Sequence, residues 1–375
     1  MSRRVDTAGA AERRVDRIGV QVYTVPTDAP EADGTLAWDH TTLILAEAAS
    51  GPHTGLGWTY GAPATAAVIR DELAPLVTGR DPHDTGGAHE AMNRAVRNTG
   101  RPGLVAGALS AVDLALWDLR GHLLDLPLAR LLGGAARPVP VYGSGGFTTY
   151  SARRQERQLR HWTEDQGIPR VKIKIGESWG TRERRDLKRV RAARAAVGDR
   201  AELYTDANGG YRRKQAVRIG AALADQGVTW FEEPVSSDDL TGLRAVRDAV
   251  TPDVTAGEYG YDLAYFARML PAVDCLQADA TRCGGLTGWL RTAALAQAHG
   301  LDVSAHCAPH LHAHAAAAVP NCRHLEWFHD HVRIERLLFD GTLDPTGGTV
   351  TPGADGAPGH GLRLAPARAA GYRTA

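Results

Sequence analysis

Seven ionisable residues recur along the sequence at intervals close to the length of one strand-plus-helix unit. They are Lys174, Asp206, Glu232, Glu258, Asp279, His306 and Glu326. Neighbouring members of this set are 32, 26, 26, 21, 27 and 20 residues apart, and each ends or closely follows a short strand-like run. Each therefore takes the same position on a successive strand. In a closed barrel that position is the C-terminal face, where active sites are built.

Three consecutive members of the set are carboxylates, namely Asp206, Glu232 and Glu258. Side by side they would repel one another unless a hard cation neutralised them, and oxygen ligands with room for waters and substrate suit Mg²⁺ better than zinc. A single such acid is more often a surface salt bridge or a helix cap, but three at this spacing favour a metal site. Glu233 should point to the opposite side of its strand and have a structural role.

Two lysines precede the carboxylates. Lys172 and Lys174 are two residues apart in a strand-like run, so both should project into the barrel interior. The apolar residues at positions 171, 173 and 175 should then pack outward, which argues against a solvated edge strand. Two ammonium groups beside a divalent cation lower each other's pKa, as a lysine requires to act as a base near neutral pH. Lys174 is the better base candidate.

Asp279 and His306 lie one barrel unit apart and can be neighbours at the ends of adjacent strands. A carboxylate bonded to one imidazole nitrogen fixes the tautomer and frees the other nitrogen for proton transfer. Three further histidines follow, at positions 310, 312 and 314. A zinc cluster is an alternative interpretation of these histidines, but no Cys/His set of the usual spacing accompanies them. We interpret them as residues at the rim of the site or behind it.

The elements that must position these residues form a repeating pattern after residue 137. Short strand-like runs alternate with longer amphipathic helices rich in Ala, Arg and Leu. The runs are residues 139–142, 171–175, 201–205, 228–231, 254–256, 273–277, 301–304 and 324–327. Eight such units predict a (β/α)8 barrel, a TIM-like α/β fold, rather than an open doubly wound sheet.

The rest of the chain is organised differently. Residues 19–25 and 41–46 are predicted strands separated by a polar loop at 27–40, and a turn-rich piece follows at 55–61. Helices are predicted at residues 64–77, 88–97 and 106–124. Strands followed by helices indicate a small α+β domain. We predict an N-terminal α+β capping domain at 1–132, the barrel at 133–343 and a C-terminal tail at 344–375 that packs back on the body.

Composition excludes several classes of protein. The chain has 375 residues, with 43% hydrophobic and 23% charged, as in ordinary globular proteins. Its 43 Lys and Arg balance 43 Asp and Glu, so no global basic field draws it to nucleic acid or to anionic membranes. No apolar run reaches 18 residues and no signal core is present, which predicts a soluble cytoplasmic protein. The four cysteines fit neither a metal motif nor a disulfide framework, so reduced thiols are expected.

Together these residues resemble the enolase superfamily, and within it the mandelate racemase subgroup. The shared pattern is a Lys-x-Lys on the second barrel strand, an Asp/Glu/Glu triad on the next three strands, an Asp–His dyad and a final Glu. Residues 110–134, SAVDLALWDLRGHLLDLPLARLLGG, resemble the family's junction between cap and barrel. Residues 279–289, DATRCGGLTGW, are similar to its sixth-strand signature. The resemblance covers nearly the whole chain.

The resemblance implies abstraction of the proton on the carbon next to a substrate carboxylate, through an enediolate intermediate. This use of a Lys or His base with Mg²⁺ is the known chemistry of the superfamily. It further implies one Mg²⁺ per active site on the three carboxylates. Lys174 and His306 would flank the reacting carbon, with Lys172 assisting the lysine and Asp279 orienting the histidine. Glu326 would donate a hydrogen bond to the enediolate oxygen, and Asn208 would accompany the metal site.

Two reactions share this arrangement. If His306 protonates a departing β-hydroxyl, the outcome is dehydration of an acid sugar to a 2-keto-3-deoxy acid, which we expect. If the opposite base returns the proton to carbon, the outcome is racemisation or epimerisation of an α-substituted carboxylate, or a cycloisomerisation. A non-catalytic barrel is disfavoured because every expected catalytic position is filled. A metallohydrolase is disfavoured because no early strand carries a His-x-His pair.

Substrate choice should come from capping-domain loops that close over the barrel mouth and exclude water. The first loop is polar, which favours a polyhydroxy acid over an aromatic one. Trp38 lies in that loop, and Trp58 and Tyr60 are expected to supply aromatic walls nearby. Family members often assemble as symmetric dimers or octamers, so the resemblance implies a homo-oligomer that acts on a small-molecule carboxylate.

Overall fold

The computed structural model describes residues 13–375 and begins with a three-stranded antiparallel sheet. Its strands are β1 (Arg17–Ala32), β2 (Ala37–Ser50) and β3 (His53–Tyr60), hydrogen-bonded in that order. The register of β1 against β2 shifts between Pro26 and Glu31. The polar loop predicted at 27–40 is therefore wrong for most of its length, because both strands continue into it and form a long hairpin with a tip at residues 33–36.

Helices cover one face of this sheet. They are α1 (Thr65–Ala67), α2 (Ala74–Val77), α3 (Thr85–Ala95), α4 (Leu104–Leu124) and α5 (Leu128–Leu131), with a π-helical stretch at Val68–Leu73. Most residues of α4 are buried, because this helix packs on β2 and β3 on one side and on a barrel helix on the other. It corresponds to the predicted helix at 106–124.

The turn predicted at residues 55–61 is wrong, because this segment is strand β3. Its glycines have a packing function instead. A Cβ added at Gly55 or Gly57 would overlap the backbone of α4, at Leu119 and Ala115 for the first glycine and at Ala111 and Ala115 for the second. Glycine in a strand often marks such a close approach of another backbone.

Eight parallel strands form the barrel. They are β4 (Val139–Gly145), β5 (Arg170–Lys174), β6 (Glu202–Asp206), β7 (Val228–Glu232), β8 (Asp253–Ala256), β9 (Cys275–Ala278), β10 (Asp302–Ala305) and β11 (Cys322–Phe328). Each pairs with the next, and β11 pairs with β4 through Leu325 and Val141, which closes the barrel. The predicted barrel is confirmed.

A helix follows each barrel strand. These helices are α6 (Ala152–Arg160), α7 (Glu183–Val197), α8 (Arg213–Ala224), α9 (Leu240–Arg247), α10 (Leu263–Met269), α11 (Gly285–Ala298), α12 (Pro309–Ala318) and α13 (His329–Leu338). A π-helical turn at His161–Asp165 extends α6, and a 3-10 turn at Leu270–Ala272 extends α10. No helix within residues 13–375 is long and apolar enough to cross a membrane.

The C-terminal segment packs on both halves of the molecule. Its elements are β12 (Phe339–Asp340), β13 (Thr349–Val350), β14 (Arg363–Leu364), α14 (Pro366–Ala369) and a 3-10 turn at Ala370–Tyr372. Strand β13 pairs with the start of β4, and β14 pairs with β12. Beyond the last turn, Arg373 forms a bridge with Tyr23 of β1. The segment therefore connects the barrel to the cap sheet.

Candidate active site

The predicted chemistry-bearing residues do meet at the C-terminal ends of the barrel strands. Lys174 pairs in register with Asp206, and Asp206 pairs with Glu232, so these side chains lie at one height on adjacent strands. Glu258 and Asp279 follow the next two strands directly. All seven members of the set are buried. The strand-end spacing of the sequence therefore corresponds to one enclosed polar centre.

The three acids of the triad form a compact cluster. One carboxylate oxygen of each of Asp206, Glu232 and Glu258 lies within 4.8 Å of the other two. The lysines contact the cluster from the β5 side. Lys172 Nζ donates to both oxygens of Glu232, at 2.6 and 2.7 Å, and Lys174 Nζ donates to Asp206 Oδ2 at 2.5 Å. Both lysines therefore face the interior, as the alternating pattern predicts.

Burial and close charges shift the pKa values of this cluster. Burial and the Asp206 charge raise the pKa of Glu232 to about 8. Burial alone would raise the pKa of Asp206, but the ammonium groups of Lys174 and Lys172 outweigh it and hold that pKa below its ordinary value. Such opposed shifts are typical of like charges confined in a small space.

The carboxylates around the two lysines control the pKa values of these side chains by themselves. Burial lowers the pKa of Lys174, and the neighbouring Lys172 lowers it further, but the Asp206 carboxylate outweighs both and raises it. The pKa of Lys172 is also raised, since Glu232 and Glu326 outweigh the effect of burial. A cation at the triad would neutralise these carboxylates, so a lowered lysine pKa beside bound Mg²⁺ stays a prediction.

The donor set fits Mg²⁺. It consists of carboxylate oxygens only, the ligands that this hard cation prefers. Glu258 Oε2 is buried and accepts no hydrogen bond, although His306 Nε2 lies 3.4 Å away. Asn208 Oδ1 and Glu233 Oε1 are also buried without a hydrogen-bond partner. Buried oxygens normally have partners, so this group of unsatisfied acceptors is the observation that supports a cation here.

The dyad lies on the other side of the centre. His306 Nδ1 is 2.8 Å from Asp279 Oδ2, which fixes the ring and leaves Nε2 on the side of Glu258. Burial would lower the pKa of His306, but the charge of Glu258 and the hydrogen bond to Asp279 raise it. Going round the barrel through β4 and β11, strand β10 is the third strand from β5. In a barrel of eight strands, the fourth strand would lie directly opposite. Lys174 and His306 thus approach the centre from nearly opposite sides.

The contacts of Glu326 differ from those that a hydrogen-bond donor would make. Its Oε1 lies 2.6 Å from Ser144 Oγ and 2.8 Å from Lys172 Nζ, and its Oε2 accepts from the backbone N–H of Cys307 at 3.0 Å. Burial would raise the pKa of Glu326, but Lys172 and His306 hold it well below its ordinary value. Both carboxylate oxygens of Glu326 therefore act as hydrogen-bond acceptors in this structure. The donor role stays a prediction that requires a proton this environment does not favour.

Non-glycine residues with left-handed backbone are concentrated at this end of the barrel. Of the seven non-glycine residues with positive φ within 13–375, six follow barrel strands. They are Ser178, Trp179, Asn208, Glu233, Cys307 and Ala308. Strained backbone of this kind clusters at functional sites. Glu233 has a φ of 38°, so strand alternation does not set the direction of its side chain, and its structural role stays a prediction. Strand alternation ends at Glu232, and the charges of Glu258 and Asp206 are close enough to add to burial in raising the pKa of Glu233.

An aromatic wall adjoins the dyad. Phe147, Tyr150, Cys307 and Phe328 form one buried cluster, and Trp38 packs against it. The Trp38 ring meets Phe147 edge-on at 5.5 Å, and Lys174 Nζ lies 5.8 Å from the centre of the Phe328 ring. Trp38 therefore lies beside this wall, and its role in substrate binding stays a prediction. The wall itself is less polar than the loop sequence suggested.

The other two predicted aromatic residues do not belong to this wall, which corrects their assignment as substrate-binding residues. Trp58 is fully buried and stacks on Phe339 at 4.7 Å. Tyr60 stacks on His331 at 3.5 Å and donates to Glu335 at 3.0 Å. Strand β3 directs both side chains into the interface between cap and barrel.

The hairpin tip of β1 and β2 is fastened to the barrel mouth. Thr148 N and Oγ1 donate to the carbonyl of Ala32, at 2.8 and 3.2 Å. A Cβ at Gly34 would come within 2.7–2.9 Å of three backbone carbonyl oxygens at the ends of β5 and β6. Burial and the charge of Asp330 raise the pKa of the neighbouring Glu31 to about 8. The tip therefore packs closely on the barrel at the ends of β5 and β6.

The three histidines of α12 have separate partners. His310 Nδ1 is bonded to Glu335, His312 contacts the loops behind the dyad, and His314 Nδ1 accepts from the backbone N–H of Ala129 at 3.1 Å. Within the described chain they do not converge on one point, which disfavours the zinc interpretation. None of the four cysteines is in a disulfide.

Two family models match the chain. One, described as "Enolase C-terminal domain-like", matches residues 154–368. The other, described as "Mandelate racemase / muconate lactonizing enzyme, N-terminal domain", matches residues 34–133. Together the two matches include all seven residues of the strand-end set and the cap hairpin from its tip onward.

Individual proteins are similar over nearly the full length. A mandelate racemase/muconate lactonizing enzyme-like protein from Rubrobacter xylanophilus is 50% identical, with a TM-score of 0.93 over 96% of this chain and 100% of that one. A racemase from Streptomyces coelicolor A3(2), solved with bound magnesium, is 29% identical, with a TM-score of 0.89 over 96% and 100%. The L-talarate/galactarate dehydratase of Salmonella typhimurium is 28% identical over 90% of this chain and 88% of its own.

Proposed function

Since this chain belongs to the mandelate racemase/muconate lactonizing enzyme family, we propose that it removes the proton next to a substrate carboxylate and dehydrates an acid sugar to a 2-keto-3-deoxy acid. The observation that carries the proposal is the enclosed carboxylate triad with Lys174 on one side and the Asp279–His306 dyad on the other. Unsatisfied buried oxygens at Glu258 and Asn208 support a cation at the triad.

Asp206, Glu232 and Glu258 hold one Mg²⁺ in this proposal. When bound, the cation neutralises the triad and stabilises negative charge that develops on the substrate carboxylate. A relative with bound magnesium supports this assignment.

The residues around the triad divide the proton transfers. Lys174 Nζ exchanges a proton with the α-carbon from the β5 side, and His306 Nε2 acts from the β10 side. Asp279 holds the imidazole through Nδ1, so that only Nε2 faces the substrate. Lys172 is bonded to Glu232 and Glu326, and positions both carboxylates rather than reacting itself.

Dehydration follows when the group opposite the abstracting base protonates a departing β-hydroxyl. His306 suits this role because a buried imidazole tied to a carboxylate can both release and accept a proton near neutral pH. A dehydratase of acid sugars is among the similar proteins, which supports this outcome.

Isomerisation is the second candidate, and one observation favours it. The wall next to His306 is aromatic, with Phe328 and Cys307 directly beside the reacting groups. Such a wall offers few partners to sugar hydroxyls and suits an α-carbon with an apolar substituent. In that case the two bases exchange the proton from opposite faces and racemise the substrate. A racemase is also among the similar structures.

Incubation of the enzyme with Mg²⁺ and a panel of acid sugars and α-substituted carboxylates in D₂O separates these outcomes. Formation of a keto acid supports dehydration. Incorporation of deuterium at the α-carbon without keto acid supports isomerisation and overturns the dehydratase assignment. Neither signal on any carboxylate overturns the whole scheme. The double variant K174A/H306N is the matched control and should give neither signal.

A further inference from the structure

The backbone directly after His306 has an unusual form. Cys307 and Ala308 are consecutive non-glycine residues with φ values of 48° and 37°, and Ala308 caps helix α12. Single non-glycine residues in this region are uncommon, and they persist only where the surrounding structure holds them. Because this turn begins at His306, whatever holds the turn also sets the position of the imidazole.

One buried imidazole contacts this turn and the loop after β9 together. His312, on the second turn of α12, has no exposed surface. Its Nδ1 lies 2.9 Å from the carbonyl oxygen of Cys307 and 3.0 Å from that of Ala308. Its Nε2 lies 2.7 Å from the backbone nitrogen of Ala280. Ala280 follows Asp279 in the chain, and Cys307 follows His306.

The partners of His312 determine its tautomer. Carbonyl oxygens can only accept, so Nδ1 carries the proton, and the Ala280 N–H can only donate, so Nε2 is the acceptor. Both ring nitrogens are therefore used, and neither is available to a substrate or a metal. A neutral ring is also what burial favours, since it lowers the pKa of His312.

We propose that His312 is a positioning residue for the Asp279–His306 dyad. Its ring connects the loop that carries the carboxylate to the turn that carries the imidazole, and so sets the 2.8 Å contact between them. The proposal rests on the proposed function in one respect, that His306 is an acid–base group of the reaction. His312 acts only through that group and does not touch the substrate.

A double-mutant cycle tests this relation. H312L removes both contacts, and we expect it to lower the rate of the parent's reaction, measured as keto-acid formation or as α-deuterium incorporation, about 10- to 100-fold, the usual effect of losing a residue that orients a catalytic group. In an H306N background, where the remaining reaction depends on Lys174, H312L should change the rate less than about twofold. An equal loss in both backgrounds, or no loss in the parent, would overturn the proposal.

His314 provides the matched control, because it is a buried histidine two residues further along the same helix. Its partners, the Ala129 N–H and the His360 carbonyl, lie away from the dyad. H314L should lower the thermal midpoint but leave the rate per folded molecule unchanged. A rate loss as large as that of H312L would point to a general effect of α12 and contradict a specific role.

A conservative variant addresses the risk that H312L folds poorly. In H312N the amide can still donate to the turn, whereas in H312L no donor remains. H312N should therefore retain more activity than H312L at a similar thermal midpoint. Equal activity of the two variants would contradict a role for the contact between His312 and the turn in positioning the dyad.

A structural measurement keeps the inference separate from the proposed function. If the parent enzyme turns over no carboxylate, the proposed function fails, but crystal structures of the parent and H312L still decide the positioning role. We expect the turn at residues 307–308 to relax towards negative φ and the contact between His306 Nδ1 and Asp279 Oδ2 to lengthen in H312L. An unchanged turn and an unchanged contact would overturn the inference.

Discussion

Lys174 and His306 each reach the reacting centre beside a carboxylate, but the two carboxylates do different things. Asp279 bonds the imidazole nitrogen that faces away from the centre and so leaves the other nitrogen free. Asp206 bonds the lysine ammonium itself. The proton on Lys174 therefore depends on the charge of the triad carboxylates. The orientation of His306 depends on the loops that carry Asp279 and His306.

Replacement of either group should remove most activity. We expect K174A and H306N each to lower turnover by about 10²- to 10⁴-fold, the range that general acid–base groups contribute. Steady-state kinetics on the best substrate of the panel provide the measurement. K214A, at an exposed lysine of α8, is the control and should behave as the parent. Full activity in both K174A and H306N would refute the acid–base assignment.

The triad makes a second residue-scale prediction. Chelation by EDTA should abolish activity, and added Mg²⁺ should restore it. E258Q should weaken Mg²⁺ binding in calorimetry at least about tenfold, because it removes one of three charged ligands. Mg²⁺ should raise the thermal midpoint of the parent and not of the variant, since only a bound ligand stabilises the folded state.

The control for this measurement is E202Q, which changes an exposed glutamate at the opposite end of β6. It should bind Mg²⁺ as the parent does. If E258Q also bound Mg²⁺ with parental affinity, the triad would not be the metal site.

At the residue scale, the sequence predicts site residues that recur at a regular spacing. It does not predict the position of side chains that depends on the local backbone conformation. The strand-end set could be found because an ionisable residue recurs in each of seven successive barrel units. Glu233 could not be placed, because its left-handed φ breaks the alternation on which the prediction depends. Proximity in sequence predicts Trp58 near the mouth, whereas in the structure its ring stacks on Phe339.

At the scale of elements, the contact between β3 and α4 depends on glycine. G57A should destabilise the protein by about 1–3 kcal/mol or more, because a Cβ would overlap backbone atoms at Ala111 and Ala115 that cannot rotate away. Urea unfolding provides the free energy. G86A is the control, since nothing lies within 4 Å of a Cβ on that helical glycine. It should be neutral or stabilising by about 0.5–1 kcal/mol, and a similar loss in both variants would contradict the packing argument.

The same contact explains why the sequence predicts a turn instead of strand β3. Gly55, Gly57 and Gly61 in a short segment are typical of a turn when the helix that requires them is not known. The barrel strands were easier to predict, because parallel strands are buried on both faces and appear as apolar runs. Local sequence patterns identify elements whose own residues form an apolar run or a clear periodicity. The glycines of β3 are explained only by helix α4, which packs on them.

At the scale of the whole molecule, α4 connects the cap to the barrel through a buried carboxylate. Asp113 accepts from the N–H of Thr287 at 3.0 Å and from its hydroxyl at 2.7 Å, at the start of α11. Burial raises the pKa of Asp113 to about 7. The two segments that carry the family resemblance, 110–134 and 279–289, therefore contact each other here.

This raised pKa predicts a pH dependence of stability. Between about pH 4 and 7 the folded state holds the Asp113 proton more tightly than the unfolded chain does, so this group makes the protein less stable as the pH rises through that range. D113N cannot titrate, so the stability of the variant relative to the parent should increase from pH 4 to pH 7. Denaturant unfolding at several pH values measures the difference. Parallel curves would mean that Asp113 is ionised in the folded protein.

The bridge between the C-terminal segment and β1 has a consequence for biosynthesis. Thr374 and Val22, which meet along the outer edge of the cap sheet, are 352 residues apart in the chain. At about 5–20 residues per second, a ribosome makes the second partner roughly 20–70 s after the first. Throughout that interval β1 carries unpaired N–H and C=O groups, which can pair with another strand. Nascent copies on neighbouring ribosomes are therefore exposed to edge-to-edge association until Thr374 has been made.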